Sequence, residues 1–190
     1  MVRIAILASG SGTNAQRLME HFADHPAAEV ALVGCDQPGA GVLQRAWDHG
    51  VPVFLFNGAQ LKDGTVQHEF QGLGIGLVVL AGFMRLIPAE MVKAYPKRIV
   101  NIHPALLPKF GGKGMYGAHV HRAVIDAGER ESGITIHFVN ERYDEGEHLF
   151  QAKCTVLPED TPERLAERIH ALEHEHYAQV VEHVIRNTSW

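Results

Sequence analysis

Val2-Arg3-Ile4-Ala5-Ile6-Leu7-Ala8-Ser9-Gly10-Ser11-Gly12-Thr13-Asn14-Ala15 is the stretch on which the fold turns. Its first seven residues are apolar except for Arg3. That run is short for a helix and apolar enough for a strand buried on both faces. Glycine and small polar residues follow, and helical spacing then runs over 14–22. A strand, a tight turn and a helix in that order open a β-α-β unit. Glycines let the backbone turn sharply and approach an anion, and a helix start leaves N–H groups without partners. In a parallel sheet this turn lies at the carboxyl edge, where ligands bind. A plain βα turn capped by Ser or Thr has the same sequence signature.

The pattern repeats outward. Strands are predicted over 30–35, 51–56, 76–81 and 98–102. Helices are predicted over 41–48, 63–73 and onward from Pro88, a proline suited to a first helical turn. The repeat predicts an α/β fold: one Rossmann-like domain over 1–190, with a mostly parallel central sheet flanked by helices. Beyond residue 102 the style changes. Residues 109–117 contain four glycines and read as a loop, with a helix over 118–126 after it. Residues 133–139 alternate apolar and polar, as a half-exposed strand does. A further strand over 148–156 gives the C-terminal half its antiparallel character. The last helix, 161–184, opens with Thr161-Pro162, a good cap and first position.

The fifth strand ends in Val100-Asn101-Ile102-His103-Pro104-Ala105-Leu106-Leu107-Pro108. Pro104 has no N–H and cannot continue a ladder. Side chains two apart on a strand share a face, so Asn101 and His103 meet where the sheet opens. An amide donor beside a titratable ring suits a carbonyl turning into a tetrahedral oxyanion. A strand-end Asn bonded to the loop and a His satisfied in the core fit the same letters.

The 190 residues allow one substantial core, and 46% of them are hydrophobic, as in a globular chain. A net charge of −5 argues against a general nucleic-acid binder. Cys35 and Cys154 are expected to be buried free thiols. The N-terminal run is short for a signal segment, and no apolar run approaches a membrane span. A cytoplasmic protein with neither nucleic acid nor membrane as partner is the expectation. Thirteen histidines raise a metal site, and His170 and His174 form an i,i+4 pair. Without a neighbouring Cys or an H-E-x-x-H pattern, no metal is expected. A sharper rival is dinucleotide binding. Residues 10–15 spell G-x-G-x-x-A, and Asp36 closes the second strand where a ribose-binding acid belongs.

Five separated segments occur in one order: Ala8 to Asn14; Leu80-Ala81-Gly82-Phe83-Met84-Arg85-Leu86-Ile87; Val100 to Phe110; Gly133-Ile134-Thr135-Ile136-His137-Phe138-Val139 with Asp144; and Glu173-His174. In these the chain resembles the phosphoribosylglycinamide formyltransferase family, folate-dependent enzymes of purine biosynthesis. The resemblance implies transfer of a formyl group from 10-formyltetrahydrofolate, a cosubstrate, to the amine of glycinamide ribonucleotide by a monomer or homodimer. A deformylase or another amine formyltransferase using the same folate is the alternative within the resemblance.

It implies Asn101, His103 and Asp144 as the catalytic trio, with a protonated His103 favoured by Asp144. It implies a ribonucleotide site at Gly10, Ser11, Gly12, Thr13 and Asn14, with His170 and Glu173. The folate site would take Met84, Arg85, Leu86, Ile87, Asn140, Glu141 and Asp144. Core packing at a strand exit is the stronger reading for Met84. Residues 1–100 would then be the phosphate-binding half and 101–190 the catalytic and folate-binding half. The family's usual loop after Lys109 is shorter, so 110–118 is either a lid or a passive insertion. His119 and His121 flank it, as supports for His103 or as surface residues at a helix start.

Overall fold

In the computed structural model, which covers Met1–Trp190, the first strand, β1 (Val2–Ala8), divides its side chains between two cores. Ile4, Ile6 and Ala8 face one side of the sheet, and Ala5 and Leu7 face the other. The fourth strand, β4 (Leu77–Leu80), does the same, with Leu77 and Val79 opposed to Val78 and Leu80. Every one of these residues is buried. Full burial of one such Ile, Leu or Val contributes roughly 1.5–3 kcal/mol, so a strand apolar on both faces is secured twice over. The remaining strands are β2 (Ala28–Cys35), β3 (Val53–Leu55), β5 (Ile99–His103), β6 (Glu131–Phe138) and β7 (His148–Thr155).

The seven strands form one sheet in the order β3-β2-β1-β4-β5-β6-β7. The first five are parallel to one another, and β6 and β7 are antiparallel additions. Helices α1 (Thr13–Phe22), α2 (Gly41–Asp48), α6 (Ala118–Asp126) and α7 (Pro162–Asn187) cover the larger core. Helices α3 (Gly58–Lys62), α4 (Thr65–Gly72) and α5 (Ala89–Ala94) cover the smaller one. After β1 the chain runs outward to β2 and β3. After β4 it runs the other way. The carboxyl ends of β1 and β4 are therefore a topological switch point, where such sheets open a crevice.

Three expectations need correction. The helix predicted over 63–73 begins only at Thr65, as α4, and a separate short helix, α3, stands ahead of it where none was predicted. Asn57 caps α3, accepting from the N–H groups of Ala59 and Gln60, while the Gln60 side chain accepts from the Asn57 N–H. Gly64, at φ 90°, then breaks the path before α4. Strand β6 is not half-exposed: six consecutive residues, Ser132 to His137, are buried. Its polar face is covered by the chain after β5 rather than by water. Thr135 Oγ1 donates to Ala105 O at 2.7 Å and accepts from Leu107 N at 3.0 Å. Cys35 is buried as expected, but Cys154 is only half-buried; both are free thiols.

Candidate active site

The register of β5 against β6 builds the chemical end of the crevice. Asn101 pairs with His137 and His103 with Thr135, so all four side chains share a face. His137 Nδ1 lies 2.8 Å from its neighbour's carbonyl, Phe138 O. A carbonyl only accepts, so Nδ1 carries the proton. Nε2 is then an acceptor, and Asn101 Nδ2 donates to it at 3.1 Å. This fixes the orientation of the Asn101 carboxamide. Its second amide hydrogen is uncommitted, because Asp144 Oδ1 is 3.5 Å away, beyond an ordinary hydrogen bond.

The same logic settles His103. Its Nε2 lies 2.8 Å from Phe110 O and so carries a proton. Nδ1 is left facing Asp144 Oδ2 at 3.5 Å. Asp144, at φ 57° in the loop after β6, also accepts from Gly112 N–H through Oδ2 at 2.9 Å. Burial raises the Asp144 carboxyl, but the His137 ring, His103 and Gly112 N–H together hold it below the ordinary aspartate value. Burial dominates at His103. It pulls the imidazole below its usual value against the opposing pull of Asp144 and Phe110 O. Burial thus works against the charged ring that the resemblance implies. Asp144 limits that shift without reversing it.

At the opposite end lies the glycine-rich loop. Gly12, at φ 79°, is the residue before α1 and makes no side-chain cap, so the first-turn N–H groups stay open. A Cβ on Gly12 would sit 2.6 Å from the Val42 side chain; glycine is what lets α2 close against the loop. Arg45 of α2 steadies the turn, its Nε donating to Ser11 O at 2.8 Å. Asn14 Nδ2 donates to Glu173 Oε2 at 2.9 Å, across 159 residues of sequence. Glu173 is buried, and that burial raises its carboxyl above the ordinary value despite Asn14 and His170.

One cavity of about 550 Å³ joins the two ends. Gly10 to Asn14, His170 and Glu173 border it, as do Asn101, His103 and Asp144. Met84 to Ile87 form a side wall. Met84 is 50% exposed there, so its reading as core does not hold, whereas Ile87 is buried. Asn140 and Glu141 stand outside the cavity border. Asn140 Oδ1 instead caps a turn by accepting from Arg142 N at 2.9 Å, and Arg142 and Tyr143 reach the cavity in their place. His137 and Tyr116 also border it and are not among the predicted site residues. His121 borders it too and is buried, so it is not the surface residue that one of its two readings made it. His137 was visible as the polar step in the 133–139 alternation, but its partner on β5 was not. His170 and His174 stack at 6.5 Å between ring centroids.

The dinucleotide rival loses its acid. Asp36 accepts from Ser9 Oγ at 2.6 Å, from Arg85 Nε at 2.6 Å and from Gln37 Nε2 at 3.1 Å. Its side chain is 2% exposed, so no carboxylate oxygen is left for a ribose. The contacts with Ser9, Arg85 and Gln37 outweigh the effect of burial and hold the carboxyl below its usual value. The pair ties the start of the phosphate-type loop to the 84–87 wall.

Comparison with known proteins agrees with this geometry. A family model described as formyl transferase matches residues 2–181. The chain is 44% identical over 186 residues to a chloroplastic phosphoribosylglycinamide formyltransferase of Arabidopsis thaliana, covering 94% of this chain and 64% of that protein. It thus spans just under two thirds of that relative's length. It is 37% identical over 188 residues to the phosphoribosylglycinamide formyltransferase of Haemophilus influenzae, covering 95% of this chain and 86% of that one. The crystal structure of the Bacillus halodurans phosphoribosylglycinamide formyltransferase superposes with a TM-score of 0.89 at 36% identity, over 98% of this chain and 97% of the other.

Proposed function

The chain belongs to the formyl transferase family, and we propose that it moves a formyl group from 10-formyltetrahydrofolate to the amine of glycinamide ribonucleotide, a step of purine biosynthesis. One observation carries the reading: an open helix start suited to a phosphate and an Asn-His-Asp set suited to an oxyanion border the same cavity. Such a cavity fits a substrate with phosphate at one end and a nucleophilic amine at the other. The apolar wall at Leu86 and Ile87 suits a flat heterocycle. Residues 1–100 supply the phosphate loop and that wall. Residues 101–190 supply the catalytic trio and reach back with His170 and Glu173.

In this scheme the amine attacks the formyl carbon, and the formyl oxygen gains charge. Asn101 donates its free amide hydrogen to that oxygen while His137 holds the other. His103 enters neutral, takes the proton of the attacking amine on Nδ1 and becomes an imidazolium beside Asp144. The carbon–N10 bond breaks, and His103 returns the proton to N10. Asp144 stabilises the charged ring only while the charge exists, which is when stabilisation accelerates the reaction. Glu173 and Asn14 meet the ribose hydroxyls. The partners are two small molecules, the setting is the cytoplasm, and the protein acts as a monomer or homodimer.

Purified protein, glycinamide ribonucleotide and 10-formyltetrahydrofolate should yield tetrahydrofolate in an absorbance assay, with none formed when the ribonucleotide is left out. Equal product without the ribonucleotide would make the protein a deformylase. No product in either mixture would overturn formyl transfer.

A further inference from the structure

His121, in the first turns of α6, has a ring that the scheme above leaves idle. It borders the cavity although it is only 3% exposed. Its Nδ1 is sealed from solvent and has no hydrogen-bond partner. Nε2, equally without a partner in the protein, is the polar atom left open to the cavity. Burial pulls the imidazole down to about 4, and charge on His170 and on His103 pushes in the same direction. The ring is thus neutral near pH 7 and carries one proton. A sealed N–H with no acceptor is rarer in proteins than a sealed acceptor with no donor. The proton therefore belongs on Nε2, pointing into the cavity.

A neutral N–H donor suits a neutral acceptor. A phosphate dianion is better served by the loop at Gly12. The position of His121 narrows the choice. Its ionisable neighbours are His103, at the reacting end, and His170, at the phosphate end. A ribonucleotide spanning those ends has its ribose and its amide in between. Asn14 and Glu173 account for the ribose hydroxyls, and the amide carbonyl is the acceptor still without a donor. We infer that His121 donates Nε2–H to the amide carbonyl of the glycinamide arm, and so selects an aminoacyl amide over a simple amine; this rests on the substrate reading above.

The test compares His121→Leu and His121→Gln with the unaltered protein. The Leu variant should raise KM for glycinamide ribonucleotide roughly tenfold or more and leave KM for the folate and the Tm near the original. The Gln variant, which still donates, should recover much of the loss. In ¹⁵N spectra of the histidine rings, the His121 Nε2 signal should move on adding glycinamide ribonucleotide and stay put on adding ribose 5-phosphate. A folded Leu variant with unchanged ribonucleotide KM overturns the inference, and so does an equal Nε2 shift with ribose 5-phosphate. If the unaltered protein neither binds nor formylates the ribonucleotide, the proposed function fails first and this inference with it.

Discussion

Asp144 Oδ2 stands 3.5 Å from His103 Nδ1, on the side of the ring left free by the Phe110 carbonyl. The other carboxylate oxygen stands 3.6 Å from His137 Nε2. One side chain thus faces the ring that titrates and the ring that orients Asn101. Gly112 N–H holds it there. The loop after Lys109 therefore grips both proposed catalytic partners through its backbone: Phe110 O takes His103, and Gly112 N–H takes Asp144.

Asp144→Asn should lower kcat by about 10²-fold or more with both KM values little changed. The sign of its pH effect follows from His103. Asp144 is the largest influence raising that imidazole against burial. With a neutral amide in its place, burial meets less opposition and the His103 value falls further. The acid limb of the kcat–pH profile should then move to lower pH. A profile at the original position with lowered kcat would separate Asp144 from His103 titration.

Asn101→Ala should cost about 10²–10³ in kcat, the usual loss for an oxyanion donor. His137→Leu should show part of the same loss, because the carboxamide keeps its donor but loses the acceptor that orients it. Its circular dichroism should match the parent. Near-normal turnover in the Ala variant would remove Asn101 from the scheme.

Asp36→Ala strips Ser9 and Arg85 of a shared acceptor. The Arg85 side chain is 41% exposed, so water absorbs much of its stranded charge, and the expected loss is about 1–3 kcal/mol in urea unfolding. The 84–87 wall loses its tether, so KM for the folate should rise more than KM for the ribonucleotide. Neither the variant nor the parent should change NADH fluorescence, since Asp36 is committed within the protein.

How much of this was legible in the letters depends on the reach of each interaction. Strand Val2–Ala8 and helices Gly41–Asp48 and Ala118–Asp126 have the bounds the sequence predicts, because apolar spacing and flanking glycines act locally. Helix α3 was legible too, since Asn57 and Gln60 spell a capping box, but its five residues are too few to show helical spacing. Strand β6 misled because alternation says which residues share a face and not what covers that face. Asn101 and His103 were legible as a pair. Asp144 could not be told from Glu141 or Glu145 without the family resemblance, because what distinguishes it is a positive φ and a hydrogen bond from Gly112. His137 was missed because an antiparallel register links residues 36 apart, which no local pattern encodes.

Tyr177→Phe tests the floor beneath the site. The ring is fully buried, and its hydroxyl lies 2.8 Å from Leu80 O and 3.2 Å from Val100 O. It thereby fastens α7 to the end of β4 and the start of β5. Removing the hydroxyl leaves two buried carbonyls without that donor, a cost of about 1–3 kcal/mol. The urea midpoint should fall without a change in slope, and kcat should stay near its original value. An unchanged midpoint would mean that other donors replace the hydroxyl.

Glu173→Gln should stabilise the fold while weakening ribonucleotide binding. Burial raises the folded-state carboxyl of Glu173 above the ordinary glutamate value, while the unfolded chain keeps the ordinary one. Between those two values the folded state binds more protons than the unfolded state, so stability falls as pH rises through that window. Above it the full cost of a buried charge is present. Below the ordinary glutamate value both states are protonated and the cost is gone. Glutamine carries no charge at any pH and still offers an oxygen to Asn14 Nδ2. The Tm gain of the variant should therefore be largest near neutral pH, a few degrees, and vanish below the ordinary glutamate value. Ribonucleotide KM should rise, because a carboxylate accepts from hydroxyls more strongly than an amide does. A Tm difference that does not vary with pH would show that Glu173 titrates alike in the folded and unfolded chains.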